Sequence, residues 1–279
     1  MTPFRLQLLK WVGNKQRFAR QIVAHFPERF GVYFEPFLGS GAVLGTLAPA
    51  CARASDVFAP LVEIWQTLHE SPETLIEWYA IRWQRVASGD KVAEYEKIKA
   101  SYNARPNGAD LVFLCRACYG GVVRFRQADG FMSTPCGAHR PIAPAAFARR
   151  VAEWRRRTAG ATFVVADFEE AMDRARDGDL VYCDPPYADT QSILYGSQAF
   201  DLDRLLAAID RCKRRGVRVA MSLDGSKKSG RKVCDVPIPA GLFAREVTIS
   251  CGRSMLRRFQ MNGRTLEREQ VADRLLLTY

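Results

Sequence analysis

The sequence predicts an open α/β sheet carrying a mostly helical insertion, and three observations lead there. Near residue 40 a short apolar run is followed by a glycine-rich turn and a helical stretch. From about residue 161 onward, continuous apolar runs again alternate with helical stretches. Between these regions, residues 71–103 become rich in Trp, Glu, Lys and Ala and read as helices, opening a mostly helical stretch that runs to residue 159. Strands buried on both faces of a parallel sheet appear as uninterrupted apolar runs, with crossover helices between them. With 279 residues, 48% of them hydrophobic, the chain can bury one large core and still hold an inserted unit. The expected division is 1–70 with 160–279 as one domain, and 71–159 as the insertion.

Each element follows from local pattern. Residues 15–26 place Phe18, Ile22 and Phe26 on one helical face. Residues 32–35 form an apolar run stopped by Pro36, as suits a buried strand, and residues 42–47 are helical. Residues 51–55 make a second strand ending at Asp56, and residues 59–69 a second helix. Two helices are expected in 71–103 and another in 110–119. Residues 120–133 alternate about Ala128-Asp129-Gly130, the pattern of a β-hairpin, and residues 144–158 form an Arg-rich helix. Residues 162–166, 180–183 and 217–222 read as strands buried on both faces, with a helix at 202–215. Residues 243–250 and 274–279 close the sheet.

Composition narrows the partners. The net charge is +11, and a surplus of positive charge favours polyanions, nucleic acid above all. Residues 112–160 hold nine arginines against Asp129 and Glu153, a local net charge of +7. Tyr119, Phe125 and Phe131 are interleaved there with Arg116, Arg124 and Arg126, a mixture able to grip phosphates and probe base edges. The plain alternative for residues 149–157 is a solvated helix face. The eight cysteines lie in apolar stretches, and no signal-like opening or membrane-length apolar run occurs, so a cytoplasmic, DNA-associated protein with reduced thiols is expected. Cys115-x-x-Cys118 and Cys136-x-x-His139, 17 residues apart, resemble zinc-ribbon spacing. Neither pair is followed by the glycine of a zinc knuckle, and Cys115 and Cys118 also read as apolar helix positions, so no metal is expected.

Two segments carry chemistry. Asp184-Pro185-Pro186-Tyr187 follows an expected strand, where open α/β sheets bind their ligands. An exocyclic aromatic amine is a weak nucleophile because its lone pair is delocalised into the ring. The Asp184 carboxylate and the Pro185 carbonyl suit its two N–H groups and would stabilise charge developing on nitrogen. Pro185 and Pro186 stiffen the backbone, and Tyr187 offers a face for a base turned out of its stack. The competing reading is a rigid surface turn. Phe37-Leu38-Gly39-Ser40-Gly41 leaves a strand and opens a helix, so backbone can approach a ligand and a helix start can favour an anionic group. Asp56, ending the next strand, suits ribose hydroxyls; its alternative is to cap the following helix.

Together these segments resemble the Dam-like (D12 class) adenine-N6 DNA methyltransferases. Lys10-Trp11-Val12-Gly13-Asn14-Lys15 is similar to that family's opening motif, and Glu35-Pro36-Phe37-Leu38-Gly39-Ser40-Gly41 to its cofactor loop. Asp167-Phe168 resembles the segment that meets the cofactor's adenine, and Asp184-Pro185-Pro186-Tyr187 the catalytic tetrapeptide. The resemblance implies a Rossmann-like class I methyltransferase sheet with a target-recognition insertion that carries a β-hairpin. It implies S-adenosylmethionine as cofactor, held by Trp11, Lys15, the Glu35–Gly41 loop residues Glu35, Phe37, Gly39, Ser40 and Gly41, and by Asp56, Asp167, Phe168 and Asp184. It implies double-stranded DNA as substrate, contacted by Arg116, Tyr119, Val122, Arg124, Arg126 and Arg140. The expected reaction is methyl transfer to adenine N6 after base flipping, by a monomer or weak dimer that forms no stable complex with any cognate restriction endonuclease. Cytosine-N4 or RNA-adenine methylation share this acceptor chemistry, and a zinc-dependent DNA-binding protein without catalysis is the alternative of another class. Asn14 replaces a usual Gly, Cys115 and Cys118 replace residues that are usually Asn and Gly, and the 226–279 tail departs from the family pattern, which leaves the recognition sequence open.

Overall fold

The computed structural model describes residues 4–126, 128–186, 200–227, 232–233, 237–253 and 270–279. Its centre is an eight-stranded mixed sheet. Strands β1 (Tyr33–Glu35), β2 (Ala52–Asp56), β3 (Ala161–Val165), β4 (Leu180–Cys183) and β5 (Arg218–Lys227) lie parallel in the order β3-β2-β1-β4-β5. The short β6 (Lys232–Val233) pairs antiparallel with β5, beside the main path. Strands β7 (Arg245–Arg253) and β8 (Gln270–Leu277) extend the sheet antiparallel, in the order β5-β8-β7. The chain steps outward from β1 through β2 to β3, then returns to the other side of β1 for β4 and β5. Strand order therefore reverses between β1 and β4, and the crevice beyond their carboxyl ends is where such sheets hold ligands.

Alternation along the strands divides the core in two. In β4, Leu180 and Tyr182 face one apolar cluster, while Val181 and Cys183 face the other. The second cluster lies under α8 (Phe168–Asp173) and α9 (Leu202–Arg214). The first is covered by α1 (Ala19–Val23), α2 (Ala42–Leu47) and α3 (Ala59–Glu70), and by α4 (Pro72–Ser88), α5 (Lys91–Ala104), α6 (Gly108–Ala117) and α7 (Pro144–Arg157). Trp65 of α3 ties these helices to the sheet, with its ring 5.2 Å from Trp154 of α7 and 5.5 Å from Phe163 of β3. Tyr79 of α4 stacks on Phe147 of α7 at 4.1 Å. Local signals start these helices: Asp90 and Asn107 cap α5 and α6 by accepting from Ala93 N and Asp110 N, and proline occupies the first turn of α3, α4 and α7. Among the described residues no helix is long and apolar enough to cross a membrane.

Three local expectations change. The helix expected over 15–26 shortens to Ala19–Val23, because the Asn14 side chain accepts from Gln16 N and the backbone turns at Lys15. Strand β3 is not buried on both faces. It is an edge strand paired only with β2, and Val164 and Val165 are exposed. In residues 120–133 the antiparallel pairing consists of isolated bridges at Phe125–Met132 and, just outside, Cys118–Cys136. The Thr134 hydroxyl interrupts a regular ladder there, accepting from Arg124 N at 2.8 Å and donating to Val122 O at 2.9 Å.

Candidate active site

Two turns meet at the point of strand reversal. The first leaves β1 at Glu35 and passes through Gly39 and Gly41, both with positive φ (+47° and +62°). Gly41 has little choice: a Cβ there would lie 2.9 Å from the Trp65 ring. The second turn leaves β4 at Cys183 and passes through Asp184, Pro185 and Pro186. Between them lies a cavity of about 250 Å³.

The cavity brings together most of the residues singled out from sequence. Trp11, Lys15, Glu35, Phe37, Gly39, Ser40, Asp56, Asp167 and Phe168 all line it. Asp184 and Pro186 line it as well. Phe37 stacks on Phe168 at 5.3 Å, and Phe200 packs edge-on against both, giving an aromatic cluster that lines the cavity. Asp56 accepts from Gly39 N at 3.0 Å and from Phe58 N at 3.1 Å. It therefore fixes the glycine loop and the start of α3 at once, and burial raises its pKa. Asp167 caps α8 by accepting from Glu169 N at 2.9 Å and meets Arg204 at 3.2 Å. Gly41 does not line the cavity but packs behind it, against Trp65. Pro185 is buried, and Tyr187 lies outside the described residues. The basic segment from Lys227 to Lys232 lies largely outside them as well.

Charged groups gather around Lys15 and Asp184. Lys15, nearly buried, reaches Asp184 Oδ1 at 3.0 Å and Asp273 Oδ2 at 3.3 Å. Tyr33 Oη donates to Glu35 Oε2 at 2.6 Å. Burial pushes the Glu35 carboxyl up to about 8, against the Tyr33 hydrogen bond, which lowers it; nearby Asp184 adds to the rise. The Tyr182 and Ser222 hydroxyls are 2.8 Å apart beside this group. Glu35 is thus held neutral near pH 7, next to an ionic group built on a lysine. Phe58, Tyr182, Phe200 and Asp273 were not singled out from sequence. Phe200 and Tyr182 had no motif to mark them, whereas Asp273 left a faint signal as an acid in an otherwise apolar alternation with Leu275 and Leu277.

The arginine-rich face sorts its members. Arg124 and Arg126 are exposed, while the intervening Phe125 and neighbouring Val123 point into the core. Arg126 lies 4.2 Å over the Phe131 ring and pairs with Asp129. Tyr119 and Arg140 are exposed, and Val122 is half-buried. Arg116 is different: it is buried, and its guanidinium donates to Gln7 O at 3.0 Å and Leu8 O at 2.8 Å. Its placement is that of a brace for the N-terminal segment, since it emerges on the inward side of α6. Cys115 and Cys118 are buried thiols that desolvation pushes up to about 11 and about 12. Among the described residues no three His, Cys, Asp or Glu side chains gather as metal ligands do.

Comparison with known proteins identifies the family. A family model for D12 class N6 adenine-specific DNA methyltransferases matches residues 11–234. A type II methyltransferase of Lactococcus lactis subsp. cremoris is 26% identical over 234 residues, covering 78% of this chain and 80% of its own. A DNA adenine methylase of Vibrio cholerae is 29% identical over 227 residues, covering 77% and 79% respectively. A DNA N-6-adenine-methyltransferase of Escherichia phage P1 is 27% identical over 233 residues, which span 80% of this chain but 30% of the phage protein.

Proposed function

The chain belongs to the D12 class of N6 adenine-specific DNA methyltransferases, and from that premise we propose that its methyl donor is S-adenosylmethionine, held in the cavity between β1 and β4. The protein is an enzyme that methylates adenine N6 in DNA. The chemistry of the donor set fits the proposed cofactor. Phe37 and Phe168 offer an aromatic face for a purine, Asp56 has carboxylate oxygens for ribose hydroxyls, and the Asp184 carboxylate favours a cation beside it. When bound, S-adenosylmethionine supplies an electrophilic methyl group on a positively charged sulfur.

The residues of this chain then act on the base. A target adenine flipped out of double-stranded DNA presents its amine to Asp184 and to the Pro185 carbonyl, which accept its two N–H groups. As N6 bonds to the methyl carbon, the carbon–sulfur bond of the donor would break, positive charge grows on nitrogen, and the fixed Asp184 carboxylate stabilises it until N6 gives up one of its protons to water. Lys15 holds Asp184 in place through their ion pair. The observation that supports this reading is the ion pair itself, which joins Asp184 to Lys15 among the residues that line the cavity. Residues 71–159 serve as the target-recognition unit, with Tyr119, Arg124, Arg126 and Arg140 toward DNA. The enzyme works as a DNA-associated protein of the cytoplasm, as a monomer or weak dimer without a stable endonuclease partner. Replacing Asp184 with Ala should abolish transfer from labelled donor while DNA retention on a filter persists. Undiminished transfer by that variant would overturn the assignment.

A further inference from the structure

Asp273 stands apart from the motifs. It lies on β8, beyond the residues matched by the family model, yet its carboxylate reaches the site. The topology explains how. Strand β8 runs antiparallel to β5, with Asp273 opposite Asp224, so the start of β8 lies beside the carboxyl ends of the parallel strands. Asp273 shares its face with Leu275 and Leu277, which are both buried in the core. At 6% exposure, a carboxylate there is costly unless paired, and Lys15 is its partner at 3.3 Å.

The charges set the consequence. Lys15 alone would cancel Asp184. Asp273 shares that ammonium, so its carboxylate weakens the neutralisation of Asp184 by Lys15. Glu35 adds no charge near pH 7, since burial holds it protonated. We propose that Asp273 is a positioning residue for methyl transfer: by engaging Lys15 it weakens that lysine's hold on the charge of Asp184, favouring a cationic methyl donor and the cationic amine of the transition state. The inference rests on the assignment of Asp184 and S-adenosylmethionine to this cavity.

The test compares donor with spent donor. S-adenosylmethionine carries a sulfonium charge, whereas S-adenosylhomocysteine is otherwise alike and has a neutral sulfur. In calorimetric titrations of the full chain without DNA, Asp273→Asn should weaken S-adenosylmethionine by about tenfold and S-adenosylhomocysteine by less than about twofold, as an electrostatic effect requires. Saturated kcat should fall by about ten- to a hundredfold, and Asp273→Glu should restore both quantities. Equal weakening of the two ligands, or wild-type kcat in Asp273→Asn, would overturn the proposal and leave Asp273 a structural residue. Binding of S-adenosylhomocysteine reports that each variant is folded. Asp184→Asn is measured in parallel. If it is inactive while Asp273→Asn behaves as wild type, only this inference fails. If Asp184→Asn is fully active, the assignment of Asp184 fails and this inference with it.

Discussion

Substituting Gln for Glu35 should stabilise the protein at alkaline pH, and the burial of the carboxyl sets the amount. Glu35 is 2% exposed, and desolvation lifts its pKa from an ordinary 4.5 to about 8. The Tyr33 hydrogen bond opposes this rise, nearby Asp184 adds to it, and the Leu44 backbone lowers it. Between those two pH values the folded chain keeps a proton that the unfolded chain has lost. Stability from this group is therefore complete below pH 4.5 and is lost as pH rises toward about 8. Each pH unit in that window costs about 1.4 kcal/mol, so the full window amounts to roughly 5 kcal/mol. Glutamine keeps the shape, accepts from the Tyr33 hydroxyl and has no proton to release. Urea unfolding would show the two proteins nearly alike at about pH 5 and the Glu35→Gln variant more stable by about 3–5 kcal/mol at about pH 9. Parallel stability–pH curves would refute a buried, neutral Glu35.

Other consequences follow from backbone and surface. Gly41→Ala places a Cβ against Trp65 at a positive φ, and should cost about 1–3 kcal/mol in urea unfolding while weakening donor binding. Arg124→Ala, on the exposed face, should leave the melting temperature unchanged and flatten the log–log salt dependence of DNA binding by about one phosphate contact, a slope change near 0.9. Arg116→Ala should do the reverse, since it removes buried bonds to Gln7 O and Leu8 O: about 2–3 kcal/mol of stability lost, with the salt slope unaltered.

Much of this architecture was legible because its physics is local. The apolar runs at β1 and β4 marked the strands between which order reverses, and turn chemistry placed the glycine loop and the Asp184 segment at their ends. What escaped depends on tertiary neighbours. A valine run reads the same in a central strand and in β3, whose edge position is set by which strands fold beside it. Arg116 and Arg124 look alike as residue types. Helical spacing from Val112 and Phe113 would have turned Arg116 inward, whereas Arg124 alternates with buried Val123 and Phe125. Asp273 sits 258 positions from Lys15 in the chain, and only the antiparallel return of β8 joins them.

The most direct test of the account is the identity of the methylated nucleoside. Purified protein is incubated with labelled S-adenosylmethionine and unmethylated DNA, and the DNA is then digested to nucleosides and analysed by mass. The account predicts label on N6-methyladenine, lost in Asp184→Ala. Label on N4-methylcytosine, or transfer that survives that substitution, would contradict it.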